Sequence, residues 1–160
     1  MKHIVIETER LIITPQSMSE IEALRDKESD LEMKKAYSEM LDLMLGLNGS
    51  EEWGSDWKIR LKTGATVGGI GFKGLPDAEG IVEIGYGIDE AYRQQGYATE
   101  AVRGMVKWAR KQDGVKYITA QTEPNNKISQ KVLFANNFIR DGNGKEGPLF
   151  KISNSCKYDT

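Results

Sequence analysis

Residues 93–99 read Arg-Gln-Gln-Gly-Tyr-Ala-Thr: a permanent cation, then a glycine, then the first residues of an amphipathic repeat. The apolar run Val82-Glu83-Ile84-Gly85-Tyr86-Gly87-Ile88 ends just before it. Where a helix starts, several backbone N–H groups lack an internal acceptor, and the helix dipole adds positive potential there. Gly96 has no side chain to hold an anion away from those groups, and Ala98 keeps the next turn clear. Arg93 can add a full charge beside them. The chemistry on offer is capture of an anion, with phosphate the natural fit. The alternative is a plain connecting turn between a strand and a helix.

A second glycine pattern has to be set aside. Gly69-Ile70-Gly71-Phe72-Lys73-Gly74 matches the dinucleotide fingerprint G-x-G-x-x-G. That fingerprint works only where it joins a strand to a helix, because the helix N-terminus must face the pyrophosphate. Here Leu75-Pro76-Asp77 follows, which is turn chemistry. These glycines read as a bulged or closely approached strand instead. No G-x-x-x-x-G-K-[ST] loop is present.

An anion site at residues 93–99 needs a strand before it and a helix after it, and the surrounding pattern supplies both. Val82, Ile84, Tyr86 and Ile88 fall on one face of an alternating strand, with Glu83, Gly85 and Gly87 on the other. Ala98, Ala101, Val102, Met105, Val106 and Ala109 recur at helical spacing. Upstream, the Ile/Val-rich opening that ends at Pro15 reads as strand, and Ser17 or Ser19 caps a short helix. Leu31, Met33, Tyr37, Met40, Leu41, Met44 and Leu47 mark a second helix, whose methionines read as packing. Two strands meet at a Thr63-Gly64 turn before the central strand. After the anion-site helix come a strand, a helix capped by Asn125 or Asn126, and a final hairpin. The order predicts an α/β (α+β) domain with a mixed, mostly antiparallel central sheet of six to seven strands flanked by about four helices.

The 160 residues fit one domain, 1–160, with 39% hydrophobic and 29% charged residues, an ordinary soluble composition. No apolar run approaches a membrane span, and the opening residues, with Glu7 and Glu9, lack a secretory cleavage pattern. The single cysteine, Cys156, excludes an internal disulfide, fits a reducing compartment and reads as an inert thiol. The single histidine, His3, argues against a histidine metal site or a Ser-His-Asp triad. Cytoplasm is the expected location, with no metal, no nucleic acid and no membrane as partner. The net charge of −2 conceals an asymmetry. Residues 17–56 carry eleven acids and four bases, a net of −7, whereas residues 93–160 carry twelve bases and six acids, a net of +6. Both are ordinary for solvated faces. They also suit a cationic partner on the acidic side and a phosphorylated ligand on the basic side.

The Arg93–Ala98 stretch resembles the Q/R-x-x-G-x-G/A signature of the GNAT superfamily of acyl-CoA-dependent N-acetyltransferases. Three further segments are similar to the ribosomal-protein-alanine acetyltransferase (RimJ/RimL-like) branch: Glu-Thr-Glu-Arg-Leu-Ile-Ile-Thr-Pro at the start, the strand–loop–helix core over residues 82–102, and residues 125–138. The last resembles N-x-x-S-x-x-V-L-x-x-x-G-F, with Asn137 standing where the family has glycine. Asparagine tolerates the left-handed conformation that ends a helix. Residues 17–56 are not distinctive, which fits a family whose acceptor side varies.

The resemblance implies acetyl-CoA as co-substrate and a primary amine as acceptor, a protein N-terminus or a small polyamine- or aminoglycoside-like molecule. It implies that Arg93, Gln94, Gln95, Gly96, Tyr97, Ala98 and Thr99 cradle the coenzyme A pyrophosphate. Tyr86, Gly87 and Ile88 would lie along its pantetheine arm, and a backbone N–H near Gly85–Tyr86 would polarise the carbonyl. Glu83 is the candidate general base, acting through water, or else a strand carboxylate held in an ion pair. Many relatives place a tyrosine general acid where this chain has Leu133. The catalytic alternative is Ser129, or Asn126 caps the helix and Ser129 contacts coenzyme; Lys131 could reach an outer phosphate or simply be solvated. Homodimers are common among relatives, and the sequence demonstrates none. A non-catalytic acyl-CoA-binding domain would keep the phosphate loop without needing Glu83.

Overall fold

The computed structural model describes residues 3–154, so Cys156 lies outside the described residues. The opening β-rich segment, which the element order leaves as one strand or two, makes two, β1 (Ile6–Glu7) and β2 (Leu11–Pro15). Thr8 folds the chain between them: its N–H donates to the Leu11 carbonyl at 3.0 Å and its Oγ1 accepts from the Leu11 N–H at 3.1 Å. That turn raises the sheet to eight strands, above the six to seven expected.

Helix α1 (Met18–Lys27) opens on Ser17 in a capping box with Glu20, and α2 (Leu31–Gly46) opens on the Asp30 side chain. Strands β3 (Trp57–Leu61), β4 (Thr66–Phe72) and β5 (Ile81–Ile88) follow, then α3 (Tyr97–Arg110), β6 (Tyr117–Gln121), α4 (Lys127–Ala135), β7 (Ile139–Asn143) and β8 (Pro148–Ser153). The sheet order is β1-β2-β3-β4-β5-β6-β8-β7, and among the described residues only β5 and β6 run parallel. Asn137 adopts φ 68° after α4, so asparagine does fill the position expected to be left-handed.

Helix α3 buries Ala101, Val102, Met105, Val106 and Ala109 against one face of the sheet, where Val82, Ile84, Ile70 and Phe72 meet it. Trp53, Trp57, Phe72 and Trp108 close this core at ring separations of 5.0–5.9 Å. Aromatic pairs of this kind stabilise by about 0.5–1.5 kcal/mol beyond their burial. The other face is bare at its centre, because Gly69, Gly71, Gly85 and Gly87 pair across β4 and β5 and all point that way. Over this face stands the α1–α2 hairpin, which has its own small core of Ile21, Leu41 and Met44. Leu31 and Met33 on α2 face outward instead.

Two buried polar residues stitch the ends of the hairpin together. The Gln16 amide donates to the Asp56 carbonyl at 3.0 Å, and the Ser55 hydroxyl donates to the Gln16 carbonyl at 2.6 Å. A closed polar pair of this kind fixes where the chain re-enters the sheet.

Candidate acyl-carrier site

The parallel pairing of β5 with β6 covers only Ile81–Glu83 against Tyr117–Thr119. Beyond Glu83, β5 stays paired with β4 and β6 with β8, so the two strands part into a V. The Lys73 N–H donates to the Glu83 carbonyl and the Asp89 N–H to the Val67 carbonyl. In an antiparallel ladder this alternation turns the odd-numbered residues of β5 toward β4 and leaves the polar groups of Tyr86 and Ile88 facing the V. Of the expected Gly85–Tyr86 pair, Tyr86 therefore supplies the free N–H. At the end of the strand, the Ile88 carbonyl accepts from Arg93 Nε at 2.9 Å, which fixes Arg93 at the mouth.

Past Arg93 the backbone twists twice into the left-handed region, at Gln94 (φ 65°) and Gly96 (φ 82°), before α3 begins at Tyr97. Strain of this kind at a non-glycine residue clusters at functional sites. The amides of Gln94, Gln95, Gly96, Tyr97, Ala98 and Thr99 have no acceptor among the described residues; the first bond back across the cap is from Glu100 to the Gly96 carbonyl at 3.1 Å. A run of free N–H groups at a helix start is an anion nest.

Arg10, from the turn between β1 and β2, clamps this nest. Its Nη1 donates to the Gln95 carbonyl at 2.9 Å, its Nε to Glu100 at 2.7 Å, and its guanidinium lies 4.5 Å from the Tyr97 ring centre. Glu100 sits in the first turn of the helix, where a free carboxylate would share the anion site. Burial alone would raise its pKa, but hydrogen bonds from Thr8 and Arg10, with the Arg10 charge, hold it below the ordinary carboxylate range. Its charge is thus spent on Arg10. The only sequence signal for Arg10 was its place in the segment resembling the RimJ/RimL-like branch.

The remaining expected residues divide. On the α3 side of the sheet, the Tyr86 hydroxyl lies 2.8 Å from Ser129 Oγ and 3.3 Å from the Ser129 carbonyl. Burial raises the Tyr86 pKa and the Ser129 contact lowers it in part, so the phenol keeps its proton at neutral pH. Asn126 caps α4, accepting from the Ser129 N–H at 3.1 Å. Lys131 is exposed on α4 and forms no ion pair among the described residues. Glu83 lies on the glycine face, where Lys73 Nζ at 2.7 Å and Gln121 Nε2 at 3.1 Å take both of its oxygens.

Cavities border this region on both sides. One of about 540 Å³ holds the backbone of Gly85–Ile88 with Arg93 and Asp56. Another, about 380 Å³, lies between α2 and the glycine face and meets the first at Asp56 and Gly85. A larger cavity of about 700 Å³ follows the β1 side of α3; it touches Gly96 and Thr99 but no residue of β5, so it borders the nest away from the V. No group of three or more metal-ligating side chains occurs among the described residues, and no helix there is long and apolar enough to cross a membrane.

A parted parallel strand pair with a helix-start nest at its mouth defines a class, and the comparisons agree with it. Residues 10–139 match the family described as Acetyltransferase (GNAT) domain, and the chain belongs to that family. The uncharacterized N-acetyltransferase YjdG of Bacillus subtilis (strain 168) is 35% identical over 98 residues, which are 61% of this chain and 58% of that relative. Among solved structures, the ribosomal-protein-S5-alanine acetyltransferase from Vibrio fischeri superposes with a TM-score of 0.75 at 17% identity, over 95% of this chain and 97% of that one. A RimL ribosomal L7/L12 alpha-N-protein acetyltransferase in complex with coenzyme A gives a TM-score of 0.73 at 14% identity, over 94% and 98%. At these identities the likeness is one of fold.

Proposed function

We propose that this protein is an N-acetyltransferase that moves the acetyl group of acetyl-CoA to a primary amine. The observation that carries the reading is the run of free amides from Gln94 to Thr99, opening beside a strand edge that has lost its partner. The nest and Arg93 suit a diphosphate, and the open edge at Tyr86 and Ile88 suits the amide-bearing arm of the carrier. The Tyr86 N–H is free to polarise the thioester carbonyl, which sharpens as charge develops on that oxygen. Gly87 leaves room for the arm, with nothing within 4 Å of where a side chain would begin.

The hydroxyl pair of Tyr86 and Ser129 stands on the flank of the V and can supply a proton to the departing thiolate. A thiolate also leaves readily without a dedicated acid. Ser129→Ala should therefore lower kcat by less than about tenfold, whereas losing a required general acid costs about 10²–10⁴-fold. Steady-state rates with saturating acetyl-CoA check this. Asn126 supports the helix that carries Ser129, and Lys131 stands ready for an outer phosphate. A proton path to Glu83 runs through water, since Lys73 and Gln121 occupy its oxygens. Glu83→Gln should reduce turnover at neutral pH and leave coenzyme A affinity nearly intact; unchanged turnover removes Glu83 from the mechanism.

The acceptor is a peptide N-terminus or a small amine. The resemblance to acetyltransferases named for ribosomal proteins supports the first. The net charge of −7 over residues 17–56 suits either, since both arrive as cations. Acetyl-CoA chemistry and a lone cysteine fit the cytoplasm. Titration with coenzyme A, followed by a panel of amines and peptides with thiol release as the readout, tests the proposal. Binding with release of thiol is expected; no binding of coenzyme A would end it. Binding without turnover on any amine would make this a carrier-binding domain.

A further inference from the structure

Asp56 belongs to no sequence motif, and among the described acids it is the one whose carboxyl is pushed well up by burial. It follows the Gln16–Ser55 stitch and lies just before β3, so its backbone carbonyl is held by Gln16 and Ser55. Its side chain turns onto the glycine face. A Cβ on Gly69 would lie 2.5 Å from Oδ1 and 2.7 Å from Oδ2, so only glycine there leaves the carboxylate its seat. Gly71 is crowded in the same way by the Ser55 carbonyl. The glycines of the false dinucleotide fingerprint thus serve to admit this segment.

No hydrogen bond or ion pair reaches the Asp56 carboxylate among the described residues. Glu83, on the same face, already has two donors. A carboxylate left without partners at the meeting point of two cavities can be satisfied from outside, and a cation is what satisfies it. One cavity runs to the free Tyr86 edge and Arg93. The other opens under α2, where Ala36, Met40 and Leu43 make an apolar wall and Glu39 adds a second negative charge. On the proposed function, the first is the side of the acyl carrier and the second is the way in for the acceptor.

Resting on that reading, we infer that Asp56 holds the acceptor's primary ammonium, carried on an apolar stem, and takes its proton directly. The Asp56 carboxylate accepts one proton from R–NH₃⁺ and frees the nitrogen lone pair. The N–C bond to the acetyl carbon then forms as the C–S bond breaks. The second nitrogen proton passes to the leaving sulfur, so the products are the amide and the free thiol, and Asp56 returns its proton to water. The geometry is supported by protonation behaviour: burial pushes the Asp56 carboxyl up from 3.8 to about 6, a value suited to a base near neutral pH. The charged or titratable groups facing it are Lys58 on β3, which the register sets beside Gly69, Tyr37 and Glu39 from α2, Lys73 beyond β4, and Asp89, Glu90 and Arg93 beyond β5, with Glu28 near Tyr37. Burial, then the charges of Asp56 and Glu28, raise the Tyr37 pKa, so it stays a neutral hydroxyl.

The test uses the full chain with acetyl-CoA and three probes: n-butylamine, 1,4-diaminobutane and a peptide with a free N-terminal alanine, which separate small amines from protein N-termini. The parent should acetylate at least one. Its kcat/KM for that amine should rise with pH through an ionisation near 6, because the base must be charged to act. Asp56→Asn should lose about 100-fold or more in kcat/KM, lose the acid limb of the profile, and bind coenzyme A as the parent does. On this inference Asp56 and not Glu83 takes the amine's proton, so Glu83→Gln should keep that limb whatever its effect on turnover. An Asp56→Asn protein that retains turnover or the limb overturns the inference. So does a parent that binds coenzyme A yet acetylates none of the probes, and in both cases the carrier site stands. Failure to bind coenzyme A instead brings down the proposed function itself. Should Asp56→Asn not fold, the parent's profile decides alone, and the absence of a limb near pH 6 counts against Asp56.

Discussion

A Gly96→Val protein should bind coenzyme A about 100-fold more weakly than the parent, a loss of roughly 2.7 kcal/mol. Two effects act together. Gly96 sits at φ 82° and ψ 6°, where a side-chain-bearing residue costs roughly 1–2 kcal/mol and a β-branched one is a genuine outlier. The free chain relieves that strain by turning its peptide planes, which scatters the amides of Gln94 to Thr99 that the nest depends on. The added atoms also crowd the clamp, since even a Cβ would stand 3.2 Å from Arg10 Nη2. Each charge-assisted hydrogen bond lost contributes about 1.5–3 kcal/mol. Gly96→Ala should fall between, because the Arg10 tip can yield. Calorimetric titration with coenzyme A, beside a melting curve to show the fold intact, reads the outcome. Affinity near the parental value in Gly96→Val would mean that the phosphates bind elsewhere.

The second large effect is on stability and has the opposite sign. Asp56→Asn should be more stable than the parent at pH 7.5, by roughly 2–3 kcal/mol. The ordinary carboxyl value of 3.8 becomes about 6 in the folded protein, a difference of about two units. Between those values the native state holds a proton that the unfolded chain has released. The Asp56 contribution to the parent's stability is therefore fullest below pH 4, falls as pH rises toward 6, and levels off above it. Asparagine resembles the protonated form at all pH values, so the advantage of the variant should open over that window and close below pH 4. Urea unfolding at pH 4, 5, 6 and 7.5 measures it. Parallel curves for the two proteins would show that the carboxylate is solvated after all. A residue that weakens the fold at working pH is expected where activity needs a charge in a dry place.

Much of the geometry of the candidate carrier site could be read locally. The alternation from Val82 to Ile88 placed Glu83, Gly85 and Gly87 on one face, and the structure keeps them there. The strand-to-helix switch at Gly96 was legible because one glycine and the helical spacing after it lie within a few residues. Pro76 and Asp77 were enough to remove the competing glycine pattern. By contrast, Arg10 reaches Glu100 across 90 residues, and the Tyr86–Ser129 contact spans 43. Neither pairing leaves a periodic trace. Asp56 was only one of eleven acids in an acidic stretch, and nothing in its neighbours marks it as the unpartnered one.

The division follows from the range of the forces. Periodicity, caps and turn residues act over a few positions, so the chain alone determined the order of its elements, the helix that begins at Tyr97 and the anion nest before it. Which side chains are left unsatisfied is a property of the packed whole. Only the tertiary structure could part β5 from β6, set Arg10 over Gly96, and close the α1–α2 hairpin so that Asp56 comes to rest on bare glycine backbone with no partner of its own among the described residues.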